Sequence, residues 1–305
     1  MTKPDLSIVL VSYNTKNITR HCLESISTSL KNSKLTVEVI VIDNGSKDGS
    51  IEMLKKVQSS EFIVHSENIK LKIISSNKNL GFGKANNQGV KEALSDYILL
   101  LNSDTVVLDD AIEKLYDFFK KNEKKVNFVG GKLLNKDLSP QPSCGPSYSL
   151  KMVFAHLFLR GDYWGLTRYS PDVEKEVDWI SGACILTKKQ YFESLEGFDD
   201  KIFMYMEEID LFYRAKKRGL TVFFYPEARF IHLGSASSGA RIYPILQVFR
   251  GLLFFYQKHR SRQALLLLRI MLQLKALVGL ILGYVSGNTY LKETYAKALE
   301  ISRLD

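Results

Sequence analysis

Asp96-Tyr97-Ile98-Leu99-Leu100-Leu101-Asn102-Ser103-Asp104 decides the fold of this 305-residue chain. Tyr97 to Leu101 is an unbroken apolar or aromatic run, the length of a strand buried on both faces. It stops abruptly in Asn-Ser-Asp. In open α/β sheets, ligands gather where strands end at their carboxyl edge. A carboxylate there, with an amide two residues before it, can face a divalent cation that carries a diphosphate. Oxygen donors shared with phosphate suit Mg²⁺ or Mn²⁺. Read alone, Asn102 and Asp104 also suit the turn and cap before a helix over 111–119.

Upstream, the pattern repeats. Residues 6–13 read as a strand and 18–30 as a helix. A strand over 37–42 is followed by a helix over 51–57, capped by Asp48 or Ser50. A strand over 71–75 leads into a helix that opens at 79–87 and runs to 94. This alternation predicts a parallel, doubly wound sheet with right-handed crossovers. The strand ends are chemically alike: Tyr13-Asn14, Asp43-Asn44, and Asn79 to Lys84. A carboxylate in such a place can accept a hydrogen bond from a pyrimidine N–H. Gly81 and Gly83 let the backbone approach a phosphate or sugar, and Lys84 brings a cation to a helix start. The dinucleotide fingerprint is missing, because Gly45-Ser46-Lys47-Asp48-Gly49 lacks its third glycine.

Downstream, 128–134 reads as a strand, and Pro140, Pro142, Gly145 and Pro146 break regular structure. Residues 152–160 are a short apolar segment and 163–176 a loop or flap. A strand over 177–187 is interrupted at Ser181-Gly182, where a ligand could lie against the backbone. A short helix over 188–195 follows. An amphipathic helix over 210–218 ends at Gly219 and carries Glu207 and Glu208 at its start. Strands over 221–225 and 228–232 end in His232. Residues 233–239 read as a flexible segment able to close over a ligand.

Three features ask for one explanation: a metal-type carboxylate at Asp104, an acidic pair at 207–208, and His232 at a strand end. A metal-held sugar nucleotide, attacked by a hydroxyl that a carboxylate deprotonates, uses all three, with His232 as a further metal ligand. Taken singly, the acids also suit a helix N-terminus, and His232 a half-buried structural role.

The motifs carry a resemblance. Val11-Ser12-Tyr13-Asn14, Val41-Ile42-Asp43-Asn44-Gly45-Ser46, residues 79–87, Leu101-Asn102-Ser103-Asp104, Trp179-Ile180-Ser181-Gly182-Ala183, residues 203–211 and Ile231-His232 occur in order over about 5–239. The chain resembles the family 2 glycosyltransferases of GT-A fold, and within them bacterial dTDP-rhamnosyltransferases of cell-surface polysaccharide synthesis. The resemblance implies a mixed sheet flanked by helices, over residues 1–239, and inverting transfer by single displacement. It places Glu208 at the catalytic base position, with Glu207 beside it. It assigns Tyr13, Asn14, Asp43, Asn79, Gly81, Lys84, Asn102 and Ser103 to the nucleotide, and Asp104 with His232 to Mg²⁺ or Mn²⁺. It assigns Trp179, Ser181, Gly182 and Asp210 to the sugar and acceptor. The implied partners are a nucleotide sugar, dTDP-L-rhamnose or a UDP-sugar, and a glycan or polyprenyl-linked acceptor. Other classes are a nucleotidyltransferase, whose triphosphate loop is missing at 11–16, and a non-catalytic sugar- or membrane-binding module.

Composition sets the remaining expectations. Hydrophobic residues are 45% and charged residues 25%, as in a globular chain. Cys22, Cys144 and Cys184 lie far apart, which points to a reducing compartment. Residues 1–5 lead almost directly into a strand, with no signal peptide expected. Net charge is +9, of which 241–305 supplies +7 from ten Lys/Arg against three Asp/Glu. No nucleic-acid-binding motif accompanies it. Residues 240–305 are read as a helical, basic appendage. Within it, 264–285 is long enough to span a bilayer, but Arg269, Gln273 and Lys275 are costly at mid-membrane. Arg262, Arg269 and Gln273 share a helical face. A helix lying in the interface is therefore expected at the inner face of the cytoplasmic membrane. A helical hairpin packed on the catalytic domain, or on a second copy in a homodimer, is the competing reading.

Overall fold

A computed structural model describes residues 3–59, 68–234 and 242–303. The sheet is built first from β1 (Leu6–Ser12), β2 (Val37–Asp43), β3 (Ile69–Ser75) and β4 (Tyr97–Asn102), all mutually parallel in the order β3-β2-β1-β4. Between them run α1 (Lys16–Ser29), α2 (Ser50–Ser59) and α3 (Phe82–Lys91). Side chains alternate across a strand, so each strand feeds two cores. Val9, Ile40, Ile42, Ile98 and Leu100 pack on the α3 side. Their neighbours on the same strands, Leu6, Ile8, Leu10, Val39, Val41, Leu99 and Leu101, pack on the face covered by α1 and α2. β3 is the edge; its Lys70 and Lys72 keep that edge polar.

Beyond β4 the sheet becomes mixed. After β5 (Thr105–Val107) and α4 (Ala111–Lys121) comes β6 (Phe128–Leu134). Then follow β7 (Cys144–Gly145), α5 (Leu150–Phe158), β8 (Lys175–Glu176), β9 (Trp179–Ile180) and β10 (Cys184–Lys188). β10 runs antiparallel between β4 and β6. The chain continues through α6 (Lys189–Ser194), α7 (Glu207–Lys217) and β11 (Val222–His232). The expected break at Ser181-Gly182 is present between β9 and β10. The two strands expected over 221–232 are one strand. β11 pairs with β6 on both sides of Pro226, and its register shifts between Tyr225 and Arg229. Such an irregularity lets a strand carry proline without a lost ladder bond.

The last three helices are α8 (Ile242–His259), α9 (Arg262–Val285) and α10 (Thr289–Ile301). They share the core of the α3 side: Phe249, Leu252, Phe255, Leu268 and Leu272 cluster with Ile209, Leu211 and Phe212 of α7. Arg269 and Gln273, expected to share a face with Arg262, turn with Lys275 to partners inside the protein, whereas Arg262 stays exposed. The Arg269 guanidinium donates to the Arg303 carbonyl. Gln273 Nε2 donates to Ser302 O at 2.9 Å and Lys275 Nζ to Leu157 O at 2.7 Å. Each fills a carbonyl that a helix end leaves unpaired. The segment expected to close over a ligand lies at 235–239 outside the described residues.

Candidate active site

The carboxyl ends of β1 and β4, the β9–β10 break and the start of α7 open onto one cleft of about 310 Å³. Among residues singled out by sequence, Tyr13, Asn79, Asn102, Ser103, Asp104, Trp179, Ser181, Gly182, Glu207, Glu208 and His232 line it. Five others do not.

Asp210 is fully buried away from the cleft. Its carboxylate accepts hydrogen bonds from Arg214 Nε at 2.7 Å, Lys258 Nζ at 2.8 Å and His259 Nε2 at 2.6 Å. It ties α7 to α8 and has no oxygen to offer a sugar. Lys84 is exposed and faces Asp200 at 3.7 Å. The start of α3 is also taken, because Phe82 N donates to Phe203 O at 3.0 Å. A side chain at Gly81, with φ +86°, would meet that same oxygen at 2.6 Å, so Gly81 serves this contact. Asn14 clamps loops: its N donates to Ser46 Oγ at 2.9 Å, and its Oδ1 accepts from Lys47 N at 2.8 Å. Asp43 is buried beside Asn44, with Oδ1 lacking a partner. Asn79, although in the cleft, spends its Oδ1 on Asn44 Nδ2 and Gly81 N, both at 2.9 Å.

At the end of β4, the helix-cap reading of Asn102 and Asp104 gives way to another arrangement, since Asp110 occupies the N-cap of α4. His232 Nε2 stands 3.3 Å from Asp104 Oδ1 and 3.2 Å from Asn102 Nδ2. Its Nδ1 lies 2.7 Å from Gln141 Oε1. The Gln141 amide is oriented by its Nε2, which donates to Asn135 Oδ1 and His232 O, both at 3.1 Å. Its oxygen therefore faces Nδ1, which carries the proton, and Nε2 presents a lone pair. That lone pair faces a carboxylate oxygen, and Asn102 Oδ1 is buried with no partner. Two electron-rich groups converging beside an orphaned amide oxygen fit a divalent cation. The remaining ligand positions would fall to a diphosphate, since no cluster of three His, Cys, Asp or Glu occurs among the described residues.

Across the cleft, Tyr205 and Met206 both adopt left-handed backbone (φ 66° and 73°) and turn the chain into α7. Consecutive non-glycine residues in this region are strained and need support from their surroundings. α8 supplies it at Gly251, where a Cβ would meet Met206 Cγ at 2.7 Å. Glu207 and Glu208 follow, each with Oε2 buried and unpartnered. Burial and then the neighbouring Glu208 push Glu207 well above the usual carboxylate range. Burial also raises Glu208, while the positive charge of Arg168 opposes the rise. The pair is unequal: Glu207 is pushed further toward its neutral form, while the charge of Arg168 favours the ionised form of Glu208.

Arg168, with His156 and Tyr148, lines the cleft without having been singled out. The Arg168 guanidinium lies 5.5 Å over the Trp179 ring, and its Nε is buried without a partner. It arrives there because Tyr169 bridges to Cys144, folding 147–168 over β9. No local motif announces that pairing.

The mixed sheet flanked by helices is an α/β fold of GT-A type. Residues 7–142 match glycosyl transferase family 2. The chain carries a family 2 glycosyltransferase domain and resembles rhamnosyltransferases. It is 27% identical over 253 residues to the N-acetylglucosaminyl-diphospho-decaprenol L-rhamnosyltransferase of Mycobacterium tuberculosis, covering 77% of this chain and 78% of that one. It is 26% identical over 227 residues to the low-salt glycan biosynthesis hexosyltransferase Agl10 of Haloferax volcanii, covering 72% and 64% respectively. Among solved structures, it is similar to the mannosyltransferase PcManGT of Pyrobaculum calidifontis, determined with GDP-Man and Mn²⁺. The TM-score is 0.59 at 11% identity, over 99% of this chain and 87% of that one.

Proposed function

We propose that the chain transfers a hexose, L-rhamnose from dTDP-L-rhamnose before any other, to a hydroxyl of a glycan or polyprenyl-linked saccharide in bacterial cell-surface polysaccharide synthesis. The observation that carries the reading is Glu208, half-buried with its Oε2 shielded and unpartnered, facing the same cleft as the Asn102–Asp104–His232 cluster. The likeness to the mycobacterial rhamnosyltransferase favours the donor sugar.

Glu208 takes the proton of the acceptor hydroxyl. The acceptor oxygen forms a bond to the anomeric carbon as the bond from that carbon to the diphosphate breaks, and a nucleoside diphosphate leaves. One displacement inverts the anomeric centre. Glu207, pushed toward its neutral form by burial and by Glu208, favours the ionised form of its neighbour over its own. Trp179, fixed by Nε1 donating to Pro146 O at 2.9 Å, gives the sugar an apolar wall. Asp104, Asn102 and His232 would hold a divalent cation, which neutralises the charge of the departing diphosphate.

Thermal stabilisation by dTDP, UDP and GDP, each with and without Mn²⁺ or Mg²⁺, tests the reading. A metal-dependent preference for dTDP is expected. A UDP preference replaces the donor and keeps the mechanism; no shift with any nucleotide overturns the proposal. Glu208→Gln is expected to lower turnover by about 10²–10⁴-fold while nucleotide binding persists. Loss with Glu207→Gln and not with Glu208→Gln would reverse the assignment of the base.

A further inference from the structure

α9 turns an aliphatic stripe outward. Leu267, Ile270, Leu274, Leu277, Ile281 and Val285 recur at helical spacing, and each is between 46% and 82% exposed. The stripe runs for about 27 Å at the helical rise. Isolated exposed leucines are ordinary, but a contiguous face of this kind marks a contact surface. A neighbouring segment extends it. α5 lies against α9 through the Lys275–Leu157 bond, and Leu159, Tyr163, Trp164 and Leu166 beyond it are all more than half exposed. That same segment places His156 and Arg168 in the cleft.

Charge selects the occupant. α9 contains no acid. Exposed Arg262 stands at one end of the stripe, and at the other the Lys292 ammonium lies 5.1 Å over the ring of Tyr284. Arg160 lies 5.0 Å over the ring of Tyr163. Cations and aromatic rings around an aliphatic face match the boundary of an anionic bilayer. A second copy would bring the same cations and no acid from its own α9. α9 is the one described helix long and apolar enough to cross a membrane. Crossing would strip Arg269, Gln273 and Lys275 of their carbonyl partners and place them in hydrocarbon.

We infer that the α9 stripe and the 159–166 turn seat on an anionic lipid surface, with α9 lying along the interface, so that a lipid-carried acceptor enters the cleft past His156 and Arg168. The surface stands on its own geometry; the entry route rests on the transferase reading.

The full chain is sedimented with sucrose-loaded vesicles of phosphatidylcholine, alone or with about 30% phosphatidylglycerol. Binding to the anionic vesicles is expected, falling at least ~10-fold with neutral vesicles and with L274E/I281E. Y163S/W164S is expected to weaken it as well, and melting curves report whether each variant is folded. Binding that survives both double variants overturns the inference. So does a failure of the parent to bind, whether it is a monomer or a dimer that L274E/I281E dissociates. Vesicle binding without any nucleotide-induced stabilisation upholds the surface and overturns the transferase reading alone.

Discussion

Replacing Asp210 by Asn keeps the shape of the side chain and removes its charge. Asp210 has no solvent exposure, and three basic side chains converge on it within 2.8 Å. Removing one partner of a buried ionic cluster costs about 3–5 kcal/mol, because the other charges stay behind. The lower end applies here. Lys258 keeps Asp199 at 2.7 Å, and Arg214 keeps the carbonyls of Leu195 and Gly197. His259 is the group left exposed to the loss. For 305 residues the unfolding entropy is about 0.6 kcal/mol/K, so ~3 kcal/mol lowers the melting temperature by about 5 °C. Burial alone pushes the Asp210 carboxyl up, but hydrogen bonds from His259 and Lys258 and the charge of Arg214 hold it well below the usual range. A depressed carboxylate stabilises the fold above its unfolded pKa and loses that effect as pH falls through its folded one. The gap between parent and Asp210→Asn should therefore stay level from neutral pH down to about 4 and narrow only below it. Thermal melts across that range are the assay. A gap under about 1 °C at neutral pH, or one that closes already near pH 6, refutes the reasoning.

Glu207 behaves with the opposite sign. Its raised carboxyl stabilises the fold below the ordinary Glu value, and that effect is lost as pH rises through its folded value, so the non-titrating Glu207→Gln should gain on the parent in melting temperature as pH rises above about 5. Gln141→Met removes the acceptor that sets the tautomer of His232. Calorimetric titration in the presence of a nucleoside diphosphate should show Mn²⁺ affinity lower by about 10–100-fold with the fold unchanged. Burial pushes the thiols of Cys22, Cys144 and Cys184 up to about 12, so a thiol reagent near pH 8 should label none in the native protein and all three after unfolding.

Strands with continuous apolar runs, such as 8–11 and 97–101, are legible because burial on both faces leaves little choice of residue. The chemistry at their ends is legible for a similar reason: Asn102, Asp104, Glu207 and Glu208 follow directly from where an element stops. Asp210 misled because an acid in the first turn of a helix looks the same whether it meets solvent, ligand or a distant cation. His259 and Lys258, which claim it, lie 49 and 48 residues further on. Arg168 was invisible for the same cause, since only a bridge between Tyr169 and Cys144 brings its loop over the cleft. Pro226 misled in the other direction: proline usually ends a strand, and here a register shift absorbs it.

Gly251 of α8, pressed against Met206, bears on how chimaeras of this chain should be cut. A recombinant graft that exchanged everything after residue 240 as a cassette would bring a foreign helix against the two left-handed residues ahead of Glu207. Any side chain larger than hydrogen at position 251 would drive that turn, and the acids behind it, out of place. Functional exchanges between relatives should therefore carry 199–214 and 247–259 together, because the turn and the helix that props it form one inherited unit.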